Sequence, residues 1–173
     1  MFVGKPAPDF RVRTTKDPNT LEHEATLAEY HGRWLVLFFY PADFTFVCPT
    51  EVLAFNSAVP AFAERGATLL GVSTDSVFSH VAWMEFHIGA LAFPLASDRT
   101  HAVSRAYHVL DDSGEAARGL FIIDPAGIVR YELVHDEPVG RSVDETLRVL
   151  TALQTPGKSF ATFTAPAAVT VNA

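Results

Sequence analysis

The sequence has only one cysteine among 173 residues. One thiol cannot close an intrachain disulfide, and a cytosolic setting is the default expectation for such a chain. Met1-Phe2-Val3-Gly4-Lys5-Pro6 lacks a signal-peptide pattern. Charge is sparse, at 19% of residues with a net charge of -7. The acidic residues are spread evenly and no basic block exists, so electrostatics support neither a nucleic acid nor an anionic membrane as partner. No apolar run approaches the ~20 residues of a membrane span. There is no GxGxxG and no phosphate-binding loop. Of seven histidines, only His80 and His87 share a predicted helix, and no cysteine or carboxylate completes a ligand set. Neither a metal nor an organic cofactor is therefore expected.

The chain does have hydrophobic residues, 49% of the total, enough for one domain with a sizeable core. Trp34 to Tyr40 is a continuous apolar run that predicts a strand buried on both faces. Pro49 to Arg65 reads as a helix, with Val52, Phe55, Val59 and Phe62 on one face and Gly66 as its stop. Ala67 to Ser73 predicts a second buried strand, and Ser76 to His87 a helix capped by Asp75 or Ser76. Pro94 to Ala96 predicts a short strand and Thr100 to Tyr107 a short helix. Gly119 to Asp124 and Ile128 to His135 predict a hairpin about the turn Pro125-Ala126-Gly127. Ser142 and Glu145 have capping-box spacing before a helix through Leu153. The order predicts an α/β fold, a central mixed β-sheet flanked by helices, over residues 1–154. Residues 155–173 carry one charge and are rich in Ala, Thr and Pro. They read as an extended or mobile tail. Terminal disorder and docking of Phe160 and Phe163 on a neighbouring subunit stand level.

The chemistry concentrates between Phe39 and Glu51. A buried strand delivers the chain to a loop, and the loop places Cys48 at a helix start. Free N–H groups and the positive end of the helix dipole favour a thiolate there. The Thr45 hydroxyl can donate to the sulfur or to a substrate oxygen, and Pro41 can shield the sulfur and stiffen the loop. A free cysteine is often just a small buried hydrophobe. Pro, Thr and Cys at spacings of four and three, between strand and helix, count against that reading. Arg118 opens a buried-looking strand, where an unpaired charge would be expensive, so a paired arginine is expected.

Pro41-Ala42-Asp43-Phe44-Thr45-Phe46-Val47-Cys48-Pro49-Thr50-Glu51 resembles the active-site signature of the peroxiredoxins. It is most similar to the typical two-cysteine group, which includes the alkyl hydroperoxide reductase peroxidase subunit. Gly71 to Ser76 with His80-Val81-Ala82-Trp83, Arg118 to Pro125, and Val139 to Arg148 resemble further family segments in the same order. The likeness covers roughly residues 3 to 153. It implies a thioredoxin-like fold with Cys48 as the peroxidatic nucleophile, and Arg118 as the group that stabilises the thiolate and orients peroxide. It also implies that Thr45 hydrogen-bonds the reacting atoms, Pro41 shields them, Glu51 holds an arginine, and Arg141 joins that network. For Glu51 and Arg141 a structural ion pair and a catalytic role stand level. His80 and Trp83 match family positions, which suggests helix packing near a subunit contact.

The implied reaction reduces hydrogen peroxide or alkyl hydroperoxides through a Cys48 sulfenic acid. The two-cysteine relatives resolve that acid with a second cysteine near the C-terminus. Here the tail reads Thr164-Ala165-Pro166-Ala167, and the resemblance puts Ala165 where that cysteine would be. One-cysteine turnover by an external thiol of thioredoxin, glutaredoxin or small-thiol type follows. The resemblance also implies a homodimer paired through the edge strand Ile128 to His135, alone or in a ring of dimers, with Phe44 and Phe78 as candidates for a second interface or for the core. Two other functions use the same residues differently. A redox relay would share the first step but turn over slowly with reductant. A holdase would survive replacement of Cys48 by Ser.

Overall fold

The structure, a computed structural model, describes residues 1–155. A seven-stranded mixed sheet runs through the centre. Its strands are β1 (Arg11–Thr14), β2 (Glu24–Thr26), β3 (Trp34–Phe39), β4 (Ala67–Ser73), β5 (Leu95–Ser97), β6 (Arg118–Ile123) and β7 (Val129–His135). Their spatial order is β2-β1-β5-β4-β3-β6-β7. The pairs β3/β4 and β4/β5 are parallel and the others antiparallel. The helices are α1 (Cys48–Ser57), α2 (Val59–Ala63), α3 (Val77–Trp83), α4 (Ala102–Ala106) and α5 (Val143–Leu153).

Strand β3 shows why the sheet is central. Side chains alternate across a strand. Leu35, Leu37 and Phe39 enter one core, with Tyr107 of the α4 end and Phe121 of β6. Val36, Phe38 and Tyr40 enter the other, with Cys48, Phe55, Phe62, Trp83 and Leu150 from the helices. All six β3 and flanking side chains are fully buried. A continuous apolar run is what a strand covered on both faces requires.

Three elements depart from the sequence reading. The helix expected over 49–65 is two helices, hinged at Ala58. Pro60 lacks the N–H that would bond back to Asn56, so the helix restarts rather than continues. The apolar face survives the break, with the Phe55 and Phe62 rings 6.2 Å apart. The helix expected through His87 is α-helical only to Trp83 and then widens into a π-type turn, Met84–Ile88. Strands β1 and β2 and a 3-10 turn at Leu27–Tyr30 precede the first strand the sequence suggested. Ser142 does cap α5, accepting the Glu145 N–H at 3.2 Å. The Glu145 side chain does not close the box; it pairs with Arg148. Ser76 caps α3 through the Ser79 N–H. The tail 156–173, with Phe160, Phe163 and Ala165, lies outside the described residues.

Candidate active site

The loop between β3 and α1 and the start of β6 meet at one end of the sheet. Cys48 is the first residue of α1 and is fully buried. The first helical bond runs from the Glu51 N–H to the Val47 carbonyl. The Cys48 and Thr50 N–H groups therefore have no helical partner and form the positive end of α1. Arg118 reaches the same point from across the sheet. Its Nη1 lies 3.5 Å from Cys48 Sγ, within donor range of sulfur.

A buried arginine needs anchors, and Arg118 has two. Its Nε donates to the Glu137 carbonyl at 2.5 Å, and its Nη1 also donates to Glu51 Oε2 at 3.1 Å. Glu51 stands one turn into α1 and takes three further donors from Arg141. The Arg141 backbone N–H and Nε reach Oε1 at 2.7 and 2.8 Å, and Nη2 reaches Oε2 at 2.6 Å. Arg141 Nη1 donates to the Gly119 carbonyl. Gly119 has little choice of residue, since a Cβ there would stand 2.7 Å from Val109 Cγ1. Burial works against the Glu51 carboxylate. The hydrogen bonds and charge of Arg141, then the charge of Arg118, outweigh it and hold its pKa below the ordinary value. One carboxylate thus fixes two guanidiniums, and one of them points at the sulfur.

The loop itself is shaped by local bonds. Pro41 is buried at its start. Phe44 has φ +57, a left-handed conformation unusual for a bulky residue. The Thr45 hydroxyl donates to the Ala42 carbonyl at 3.1 Å, not to Cys48. That bond leaves the lone pairs of Thr45 Oγ1 as acceptors for a substrate proton. Phe44, Phe46 and Phe78 are exposed, Phe46 at 99%, so Phe44 and Phe78 do not belong to the core.

Sequence reasoning missed the inner face of the loop. Asp43 is buried, and its carboxylate accepts from the Tyr40 hydroxyl at 2.9 Å and faces His80 Nδ1 at 2.9 Å. Its backbone N–H donates to Asp75 Oδ2 at 2.9 Å. Burial, and then the charge of Asp43, push the Tyr40 hydroxyl well above its ordinary pKa, so it stays a donor. His80 is fully buried beside the loop. An Asp directly before a Phe-Thr pair and a His four residues after Ser76 were the available signals, but no periodicity connects them.

Comparison with known proteins agrees with this geometry. Residues 3–132 match the AhpC/TSA family. Peroxiredoxin tpx1 of Schizosaccharomyces pombe is 51% identical over 158 residues, 88% of this chain and 81% of that protein. Among solved structures, the reduced 2-Cys peroxiredoxin of Plasmodium vivax superposes with a TM-score of 0.85 at 41% identity, covering 89% of this chain and 82% of that one. Mycobacterium tuberculosis AhpC gives 0.84 at 38% identity, covering 92% and 97%. The chain belongs to the AhpC/TSA family as a peroxiredoxin, a thiol peroxidase that carries a single cysteine.

Proposed function

We propose that this protein reduces hydrogen peroxide and alkyl hydroperoxides by a one-cysteine cycle on Cys48. The observation that carries the reading is the Arg118 guanidinium, held by Glu51 and Glu137 and aimed at the Cys48 sulfur. The thiolate attacks one peroxide oxygen, the S–O bond forms, and the O–O bond breaks. The leaving hydroxide or alkoxide takes a proton and departs as water or alcohol. Arg118 and the first N–H groups of α1 stabilise the charge that moves onto oxygen. The Thr45 hydroxyl oxygen accepts a hydrogen bond from the peroxide O–H, Pro41 keeps water from the sulfur, and Arg141 positions Arg118 through Glu51.

Cys48 is then a sulfenic acid. The chain has no second cysteine to condense with it. A thiol of thioredoxin, glutaredoxin or small-molecule type attacks the sulfenic sulfur and releases water. A second thiol reduces the mixed disulfide and restores the Cys48 thiol. The sulfur is fully buried, so that thiol must wait for local opening of the loop and the first turn of α1. The lone cysteine suits a reducing, cytosolic compartment. Strand β7 closes one edge of the sheet, with Val134 54% exposed. We assign it the pairing edge of a homodimer, since an open apolar edge otherwise invites aggregation. The exposed Phe44 and Phe78 suit a second contact that would join dimers in a ring. Residues 1–154 form the catalytic domain and 155–173 an appended tail.

Stopped-flow peroxide consumption with each class of thiol tests the cycle. Wild-type protein should consume peroxide with at least one class, and a Cys48→Ser variant with none. Equal rates in the two proteins would end the proposal.

A further inference from the structure

The buried histidine beside the loop has both ring nitrogens engaged by fixed partners. His80 Nδ1 faces the Asp43 carboxylate, at 2.9 Å from Oδ2 and 3.1 Å from Oδ1. His80 Nε2 faces the Ala96 carbonyl at 3.2 Å. A carbonyl oxygen only accepts, so Nε2 must carry a proton. The Nδ1–Asp43 contact needs one proton between its partners, carried by the ring or by the carboxyl group. Both side chains are buried, so no water replaces that bond if it is lost. The Tyr40 hydroxyl completes the cluster, 2.9 Å from Asp43 Oδ1 and 3.3 Å from His80 Nδ1. Asp75 is occupied by the Asp43 N–H and the Ser73 hydroxyl. Helix α3 carries no other charged side chain, and His87 packs on the Phe44 ring, 5.8 Å between centroids.

We propose that His80 is a positioning residue for the Cys48 loop, its two ring nitrogens tying the Asp43 carboxyl group to the Ala96 carbonyl of β5. The consequence reaches the sulfur through the chain. Asp43 is followed at once by the left-handed Phe44, and such a conformation persists only where its surroundings hold it. Cys48 follows four residues later. With both ring contacts in place the loop is pinned, and the sulfur stays buried beside Arg118. Loss of the ring frees Asp43 and favours the opened loop. The inference rests on Cys48 as the reacting sulfur, but its first test does not.

That test is nitrogen-15 NMR of the His80 ring in the wild-type protein at pH 7. A proton on Nε2, bonded to the Ala96 carbonyl, is expected, and a bare Nε2 overturns the proposal. The second test compares Cys48 oxidation by hydrogen peroxide with its alkylation by iodoacetamide, in wild type and His80→Asn. The ratio of the two rates cancels the ionisation of Cys48 itself. The variant should lose about tenfold to a hundredfold in peroxide rate, as small misplacements of reacting groups do. Its alkylation should become faster, because opening is no longer resisted. An unchanged ratio in the variant overturns the proposal. Wild-type protein that consumes no peroxide would instead overturn the Cys48 reading, while the ring protonation still stands or falls by NMR.

Discussion

Replacing Glu51 by Gln tests the ion cluster most sharply, because a single atom changes while the volume does not. Each Glu51 oxygen accepts two donors. Oε1 takes the Arg141 backbone N–H and Nε, and Oε2 takes Arg141 Nη2 and Arg118 Nη1. A carboxamide can turn its oxygen to only one of those pairs. Its NH2 group then faces the other pair, and two buried N–H groups lose their acceptor. Both guanidiniums also lose their shared counter-charge at 2–6% exposure. Breaking a buried pair from one side costs about 3–5 kcal/mol. With a urea slope of about 2 kcal/mol per molar, the unfolding midpoint should drop by about 2 M at pH 7. The slope should stay constant at fixed protomer concentration. The effect should also depend on pH in one direction. A carboxylate whose pKa is depressed in the fold adds stability above its unfolded value, near 4.5, and that stability is lost as pH falls through the folded value. Wild type and variant should therefore draw together as pH falls below about 4.5 and converge fully only below the folded value. Peroxide reactivity should fall with stability, since Arg118 loses one of its anchors. A midpoint shift under about 0.5 M at pH 7 would refute the reasoning, because it would put the cluster in the range of surface ion pairs.

Other perturbations have separate readouts. Thr45→Val keeps the shape and removes the hydroxyl; the peroxide rate constant should fall on the order of 10²-fold, while Thr45→Ser should stay near wild type. Ser142→Ala removes the α5 cap and should cost about 1 kcal/mol, read as a melting-temperature drop of about 2–4 °C. Gly119→Ala drives a methyl against Val109 and should destabilise by about 1–3 kcal/mol in chemical denaturation.

Much of the fold was legible because its central strands are long and apolar. Ala67–Ser73 could be read residue for residue, since a strand buried on both faces is rich in apolar residues and free of charge. Strands β1 and β2 were not, because Arg11-Val12-Arg13-Thr14 offers one apolar residue and Glu24-Ala25-Thr26 is three residues long. Their pairing is set by tertiary contact with β5, not by local pattern. The hinge at Ala58 was legible in principle, in Pro60, but the helical spacing of Phe55 and Phe62 masked it. At the site, Cys48, Arg118, Glu51 and Arg141 were marked by motif and by the expense of buried charge, and the structure brings all four together. The Asp43–His80 contact joins residues 37 apart, with α1, α2 and β4 between them. Neither periodicity nor spacing announces such a pair. The Thr45 hydroxyl shows the opposite limit: the residue was singled out, but a loop-closing bond to Ala42 was not foreseen.

The most direct measurement is the intact mass of the protein after one equivalent of hydrogen peroxide, followed by a small thiol. The account predicts one added oxygen, located on Cys48, then a mixed disulfide with that thiol, and return to the starting mass as more thiol is supplied. A disulfide-linked dimer as the main product, or peroxide consumed with Cys48 unmodified throughout, would contradict it.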